Sequence, residues 1–153
     1  MTRRTTRRHF LLRPDADGTV QQLYWYTTAV LAQELGILLF AAHMLSSHLH
    51  EVLGDTRGLL PRFLQQRNRL LANAIKCHRG WPEAVFARKA ASCVALYGPN
   101  AACKEIAYTL ANCVEAGLVR CPSEWRGVIT SIDDMGNRVI RVERPKHYFD
   151  SSA

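Results

Sequence analysis

Ile37-Leu38-Leu39-Phe40-Ala41-Ala42-His43-Met44-Leu45-Ser46-Ser47-His48-Leu49-His50-Glu51-Val52-Leu53 is the stretch on which the fold turns. Ile37 to Met44 is an apolar run of strand length, and His48 to Leu53 follows it as a second strand. Ser46-Ser47 marks the break between them, so the two form an antiparallel pair. Within the second strand His48 and His50 are separated by one residue and point to the same face. Two imidazoles held in that way can share one metal ion.

The elements on either side complete a pattern. Thr19 to Leu35 gives a helix, with Val20, Leu23, Tyr24, Thr27, Val30, Leu31 and Glu34 at roughly helical spacing and Gly36 closing it. Upstream, Arg7 to Arg13 reads as a first strand preceded by a basic arm and ended by the turn Pro14-Asp15-Ala16-Asp17-Gly18. Downstream, Gly54 to Gly58 is a loop. Leu60 to His78 is a second helix, its apolar stripe running Leu60, Phe63, Leu64, Leu71, Ala74 and Ile75. A further strand is expected around Ser92 to Leu96. Asn100 then caps a third helix from about Ala101 to Ala116, ended by Gly117. A hairpin over Ile132 to Val142, turning at Met135-Gly136-Asn137, leads into a tail containing Pro145.

The order strand, helix, strand, strand, helix, strand, helix predicts an α+β fold. It is that of a ferredoxin-like sandwich, an antiparallel sheet with helices packed on it and an additional C-terminal helix. Residues 1–128 make up the domain, and 129–153 belong to it as a closing hairpin and tail.

At 153 residues the chain is long enough for one well-formed core. Its 20 basic and 13 acidic residues leave a net charge of +7, which favours a polyanionic partner such as nucleic acid. The five cysteines, at 77, 93, 103, 113 and 121, contain no Cys-x-x-Cys pair and exclude both a disulfide framework and a zinc knuckle. Free thiols, and no apolar run of the ~18 residues a membrane span needs, predict a cytoplasmic protein with no membrane partner. There is no Gly-rich phosphate loop and no His-Glu-x-x-His motif.

On the third helix Cys103, Ile106, Leu110 and Val114 form one stripe, while Lys104, Tyr108, Asn112 and Glu115 fall opposite. Tyr108 is thereby expected to leave the core in line with an amide and a cation. Read alone, Tyr108 suits a partly buried aromatic equally well, and the histidine pair suits a decorated surface strand. His43 has odd spacing to both histidines and is not counted as a ligand. Trp25, Trp81 and Trp125 read as core. Taken together, His48, His50, Tyr108 and Asn112 are the parts of a metal-assisted phosphodiester transferase. Arg3, Arg4, Arg7 and Arg8, with Arg62 and Arg69 on the second helix, could track a phosphate backbone.

The segment Ala42 to His50 resembles the "Met-Ser-Asn-His-Tyr-His" strand of the HUH single-strand DNA transposases, particularly the REP-associated tyrosine transposases. Ile106 to Val119 resembles that family's "Tyr-x-x-x-Asn-Pro-Val-x-Ala-Gly-Leu-Val" helix, which is the more specific of the two matches. The opening Arg-Arg-His-Phe-Leu-Leu-Arg, the Trp81 to Phe86 segment and the tail Arg144-Pro145-Lys146-His147-Tyr148-Phe149 are also similar, so the likeness spans nearly the whole chain. The chain departs from the pattern at Ser47 (usually Asn), Leu49 (usually aromatic) and Cys113 (usually Pro).

The resemblance implies that His48, His50 and Asn112 bind a divalent metal and that Tyr108 is the nucleophile. The implied substrate is single-stranded DNA, a hairpin of the REP type, cut and rejoined through a 5′-phosphotyrosine. Two imidazoles and an amide suit Mn²⁺ better than Mg²⁺, though either can serve. Lys104, one turn before Tyr108, is the nearest cation that could favour its phenolate. The family includes both monomers and homodimers, and its activity belongs at the bacterial nucleoid. Two other readings use the same residues: a domesticated relative that binds DNA hairpins without cutting them, and a metal-dependent phosphodiesterase that forms no covalent intermediate.

Overall fold

An apolar run and a two-serine turn give the sheet its centre. In the computed structural model, which describes residues 1–136 and 139–146, β2 (Ile37–Met44) pairs antiparallel with β3 (His48–Asp55). β1 (Thr2–Arg4) pairs antiparallel with the other edge of β3, so the strand order is β1-β3-β2. Three helices complete the α+β architecture: α1 (Thr19–Leu35), α2 (Leu60–Arg79) and α3 (Pro99–Glu115). α1 ends at Gly36, whose φ of 70° lies in the left-handed region that a residue without a Cβ adopts readily. Asp55 ends β3 and caps α2, its carboxylate accepting from the backbone N–H groups of Leu59 and Leu60.

The pleat of β3 sorts its residues between two faces. Leu49 and Glu51 look towards α1 and α2, together with Ala42 and Met44 of β2, their register partners. There Leu49 joins Leu12, Val20, Leu23, Leu71 and Ile75 in the main core. His48 and His50 look the other way, onto the face that α3 crosses. One side of the sheet is thus an apolar core and the other is a polar interface beneath a helix.

The core face holds an ion pair that the sequence pattern hides. Arg67 of α2 is fully buried and donates twice to Glu51, Nη1 to Oε1 at 2.8 Å and Nη2 to Oε2 at 2.6 Å. The hydroxyl of Tyr24 donates to the same carboxylate at 2.6 Å. Burial holds the Tyr24 phenol well above its ordinary range, and the carboxylate beside it adds to the effect. Desolvation pulls the Arg67 guanidinium down, but Glu51 and Tyr24 together outweigh it and hold it up. Two charges and a hydroxyl thereby pair in the interior, with Arg67 Nε left buried without a partner among the described residues.

Several expected elements are corrected. The first strand lies at Thr2–Arg4 and not at Arg7 to Arg13. Arg7 and Arg8 have φ of 46° and 57°, which breaks an extended chain. Leu11 and Leu12 are both buried, where a half-covered strand would alternate. No strand forms at Ser92 to Leu96; residues 85–92 follow β1 through isolated bridges, Thr5 to Phe86 and Thr2 to Ser92. At the opposite edge, the Met44 N–H donates to the Val128 carbonyl and the Thr130 N–H to Ala42. Both sheet edges are therefore covered by irregular segments, which protects them from pairing with other chains. Among the described residues of the expected 132–142 hairpin no strand is present; its turn residue Asn137 and the tail's His147, Tyr148 and Phe149 lie outside the described residues. No helix is long and apolar enough to cross a membrane among the described residues.

Candidate active site

Register places the polar residues of three strands on one face. Thr2 lies opposite His50, Arg4 opposite His48, and His43 opposite His50 from the other side. The His48 and His50 rings approach with centroids 4.9 Å apart at an interplanar angle of 73°. Each has its Nδ1 engaged by a hydroxyl: His48 with Ser47 Oγ at 3.1 Å, His50 with Thr2 Oγ1 at 3.2 Å. A hydroxyl partner on Nδ1 fixes ring orientation and leaves Nε2 for a ligand.

α3 brings the other candidates to this face. Tyr108 stands edge-on to His50, with ring centroids 6.1 Å apart and planes at 83°. It is 46% exposed, although its neighbours Thr109 and Leu110 are buried. Asn112 is buried as well, and its Nδ2 donates to the Tyr108 carbonyl at 2.9 Å. This corrects the helical wheel. Asn112 belongs with Thr109, Leu110 and Cys113 on the sheet-facing side, whereas Cys103 is exposed. The polar face of the sheet, and not an apolar core, is what the helix covers, so an amide can face inwards. Lys104 is exposed one turn before Tyr108, and among the described residues no hydrogen bond joins the two.

The electrostatics favour neutral imidazoles. Burial depresses His50 most, and the charges of His48, His43, the N-terminal amine and Arg4 carry it down to about 4. Burial, then Arg4, His43 and Arg8, lower His48 in the same direction. Because the folded value of His50 lies below the unfolded value of ~6.5, the unfolded chain takes up a proton first as pH falls. The stability His50 contributes is therefore complete above about pH 6.5 and is lost on the way down to about 4. Urea denaturation of the metal-free protein should show a loss of about 2 kcal/mol from this residue between pH 7 and pH 5. His50→Gln should flatten that part of the profile.

The candidate arginines separate into groups. Arg4 and Arg8 place positive charge close enough to depress His48, at the site itself. Arg3 points to the opposite face, where it lies over Phe86 and lines a cleft with Arg69. Arg7 is paired with Glu83. Arg62 is exposed in the first turn of α2. The arginines thus do not form one continuous basic arm.

His43 is the residue whose place the spacing misjudged. Odd separation from His48 and His50 excludes a shared face only within one strand, and His43 is on β2, directly across from His50. It is fully buried, and its Nδ1 donates to the Thr109 carbonyl at 2.9 Å. Its Nε2 is buried without a partner among the described residues. Trp125, expected in the core, stands against this ring with centroids 5.7 Å apart and donates to the Met44 carbonyl. His43 therefore ties the strand pair to the helix that carries Tyr108. His43→Leu should destabilise the protein by about 1 kcal/mol and speed amide exchange in α3, while His43→Asn, which keeps a donor, should restore slow exchange.

The donor chemistry fits a divalent metal. Neutral imidazoles are the ligating form, and both rings have Nδ1 occupied and Nε2 open. Asn112 uses its nitrogen on the backbone and retains Oδ1 as acceptor. No cluster of three or more His, Cys, Asp or Glu suited to a metal exists among the described residues.

No protein-family model and no curated protein sequence matches the chain. Its fold is similar to that of a solved REP-associated tyrosine transposase bound to a REP hairpin, with a TM-score of 0.66. The match covers 99% of this chain and 87% of the other at 16% sequence identity. The chain thus shares the α+β antiparallel-sheet fold of that protein.

Proposed function

We propose that the chain is a metal-dependent single-strand DNA endonuclease and strand transferase that uses Tyr108 as its nucleophile. The observation that carries this reading is the placement of a half-exposed Tyr108 edge-on to His50, on a helix whose next two residues, Thr109 and Leu110, are buried. The fold likeness to a transposase bound to a DNA hairpin supports single-stranded, hairpin-containing DNA as the substrate. The net charge of +7 favours the same class of partner.

His48, His50 and Asn112 would hold the metal, Mn²⁺ or Mg²⁺, which when bound neutralises a non-bridging phosphate oxygen and polarises phosphorus. Ser47 and Thr2 keep the two imidazoles oriented. Arg4 and Arg8 add positive charge beside His48 where a strand phosphate would lie. Lys104, one turn before Tyr108, is the nearest cation along α3. The Tyr108 oxygen attacks phosphorus, the bond to the 3′ oxygen breaks, and the departing oxygen takes a proton as a 3′-hydroxyl. The 5′-phosphate stays on Tyr108, so the bond energy is kept and a second 3′-hydroxyl can displace the tyrosine. Tyr108 stands edge-on to His50 of its own chain.

A denaturing gel tests this, with the full chain, Mn²⁺ and labelled hairpin oligonucleotides from DNA flanking its own gene. Label that migrates with wild type, and with neither Tyr108→Phe nor His48→Ala, is the expected result. Cutting that persists in Tyr108→Phe would make the protein a hydrolase. Retarded but uncut DNA on a native gel would make it a binding module.

A further inference from the structure

Residues 5–13 form a loop that is tied down along its length, yet it leaves one large aromatic ring in solvent. Phe10 is 65% exposed. On one side of it the His9 ring packs on Trp81, with centroids 4.8 Å apart, and on the other Leu11 and Leu12 are buried. Phe10 itself has no ring partner among the described residues. A single exposed apolar side chain is ordinary on a surface, but this one sits on a backbone that is costly to build. Arg7 and Arg8 both occupy the left-handed region, at φ of 46° and 57°, which residues bearing a Cβ rarely adopt. Such strain persists only where the surroundings impose it.

Here hydrogen bonds impose it. The Thr5 N–H donates to the Ser47 carbonyl at 2.9 Å and the Thr5 hydroxyl to the His9 carbonyl at 2.7 Å. The Leu12 N–H donates to the Ser46 carbonyl at 2.9 Å. Arg13 donates back to the Phe10 carbonyl, and Arg79 to the carbonyls of Leu11 and Arg13. Both ends of the loop are thus pinned to the Ser46-Ser47 turn, from which β3 runs directly into His48. Phe10, two residues from the Leu12 anchor, is held at the rim of the histidine face. Arg8 is exposed and makes no ion pair among the described residues. After burial, its charge is among those that lower His48.

An exposed ring on a rigid loop beside a free guanidinium suits an unpaired base, which stacks on the ring while its phosphate meets the cation. A base inside a duplex has both faces covered by its neighbours and offers none. We infer that Phe10 is the stacking platform for an unpaired base of the substrate strand beside the scissile phosphate, with Arg8 holding the phosphate next to that base. The inference rests on the reading that the histidine face acts on single-stranded DNA, and it adds the residue that orients the strand there.

The test uses the full chain carrying Tyr108→Phe, so that binding is read without cutting. The probe is a hairpin oligonucleotide from DNA flanking its own gene, with 2-aminopurine placed in turn at each unpaired position beside the stem. Stacking quenches this base, so binding should quench one position. Adding Phe10→Ala should restore its emission and weaken binding at least about fivefold, in a chain that melts as its parent does because the ring is exposed. Phe10→Trp should keep both quenching and affinity. The stem without its unpaired flank should bind Phe10→Ala and its parent alike. Arg8→Ala should weaken the flanked hairpin and reduce the salt slope by about one. Quenching that ignores Phe10→Ala, equal weakening of the bare stem, or no binding of the hairpin would overturn the inference. A probe quenched through Phe10 but never joined to the wild-type chain would sink the cleavage reading and leave the platform standing.

Discussion

Tyr108→Phe should abolish covalent capture and strand transfer, a loss of at least about a thousandfold, and leave hairpin binding within a factor of two or so. The substitution removes one oxygen and keeps the ring. The edge-on contact with His50 survives, and so does the Nδ2 bond from Asn112, which goes to the backbone carbonyl and not to the phenol. Stability should hardly change, because the side chain is 46% exposed. Single-turnover transfer and equilibrium binding of the same labelled hairpin separate the two effects. A mutant that still cuts at a comparable rate would assign the nucleophile elsewhere, most simply to water. A mutant that fails to bind would make Tyr108 a DNA contact.

Glu51→Ala should be the most destabilising single change on the core side, costing about 3–5 kcal/mol. The side chain accepts two bonds from the fully buried Arg67 and one from Tyr24. Its removal leaves a guanidinium inside the protein with no counter-charge. Domains of this kind are stable by only about 5–15 kcal/mol, so the variant would be substantially unfolded on warming. Replacing both partners with apolar residues, Glu51→Leu with Arg67→Met, should recover most of the loss because no charge is then stranded. Thermal melts of the two single mutants and the double mutant give the coupling directly. The effect reaches the site because Glu51 adjoins His50 in β3. Pinning Glu51 to the core face fixes the register that turns His48 and His50 towards α3.

Much of this was legible in the sequence where periodicity is strong. The apolar runs and glycine stops of α1, β2, β3, α2 and α3 lie within a few residues of their expected bounds. The first strand was not legible, because Thr2–Arg4 is three residues long and mostly polar, and so has no alternation to read. Its polarity follows from its role: Thr2 and Arg4 serve the histidine face, and Arg3 serves the cleft. Arg67 carries a signal that could have been noticed. It interrupts the row Phe63, Leu71 and Ile75 at the one position where a core residue is due, and Glu51 interrupts Leu49 and Leu53 on the strand opposite. Two charges of opposite sign at core positions of neighbouring elements point to a buried pair. His43 and Asn112 were misplaced for a different reason. Spacing rules act within an element, whereas these residues owe their positions to pairing across strands and to a helix covering a polar sheet face.

The proposed strand transfer requires Tyr108 to become covalently joined to DNA. Intact-mass spectrometry of the wild-type chain after incubation with Mn²⁺ and an unlabelled single-stranded hairpin measures this directly, followed by peptide mapping. Attack by Tyr108 gives a mass increase equal to the strand downstream of the cut, carried through its 5′-phosphate on the peptide containing Tyr108. Cleaved DNA with unmodified protein, or an adduct on any other residue, would contradict it.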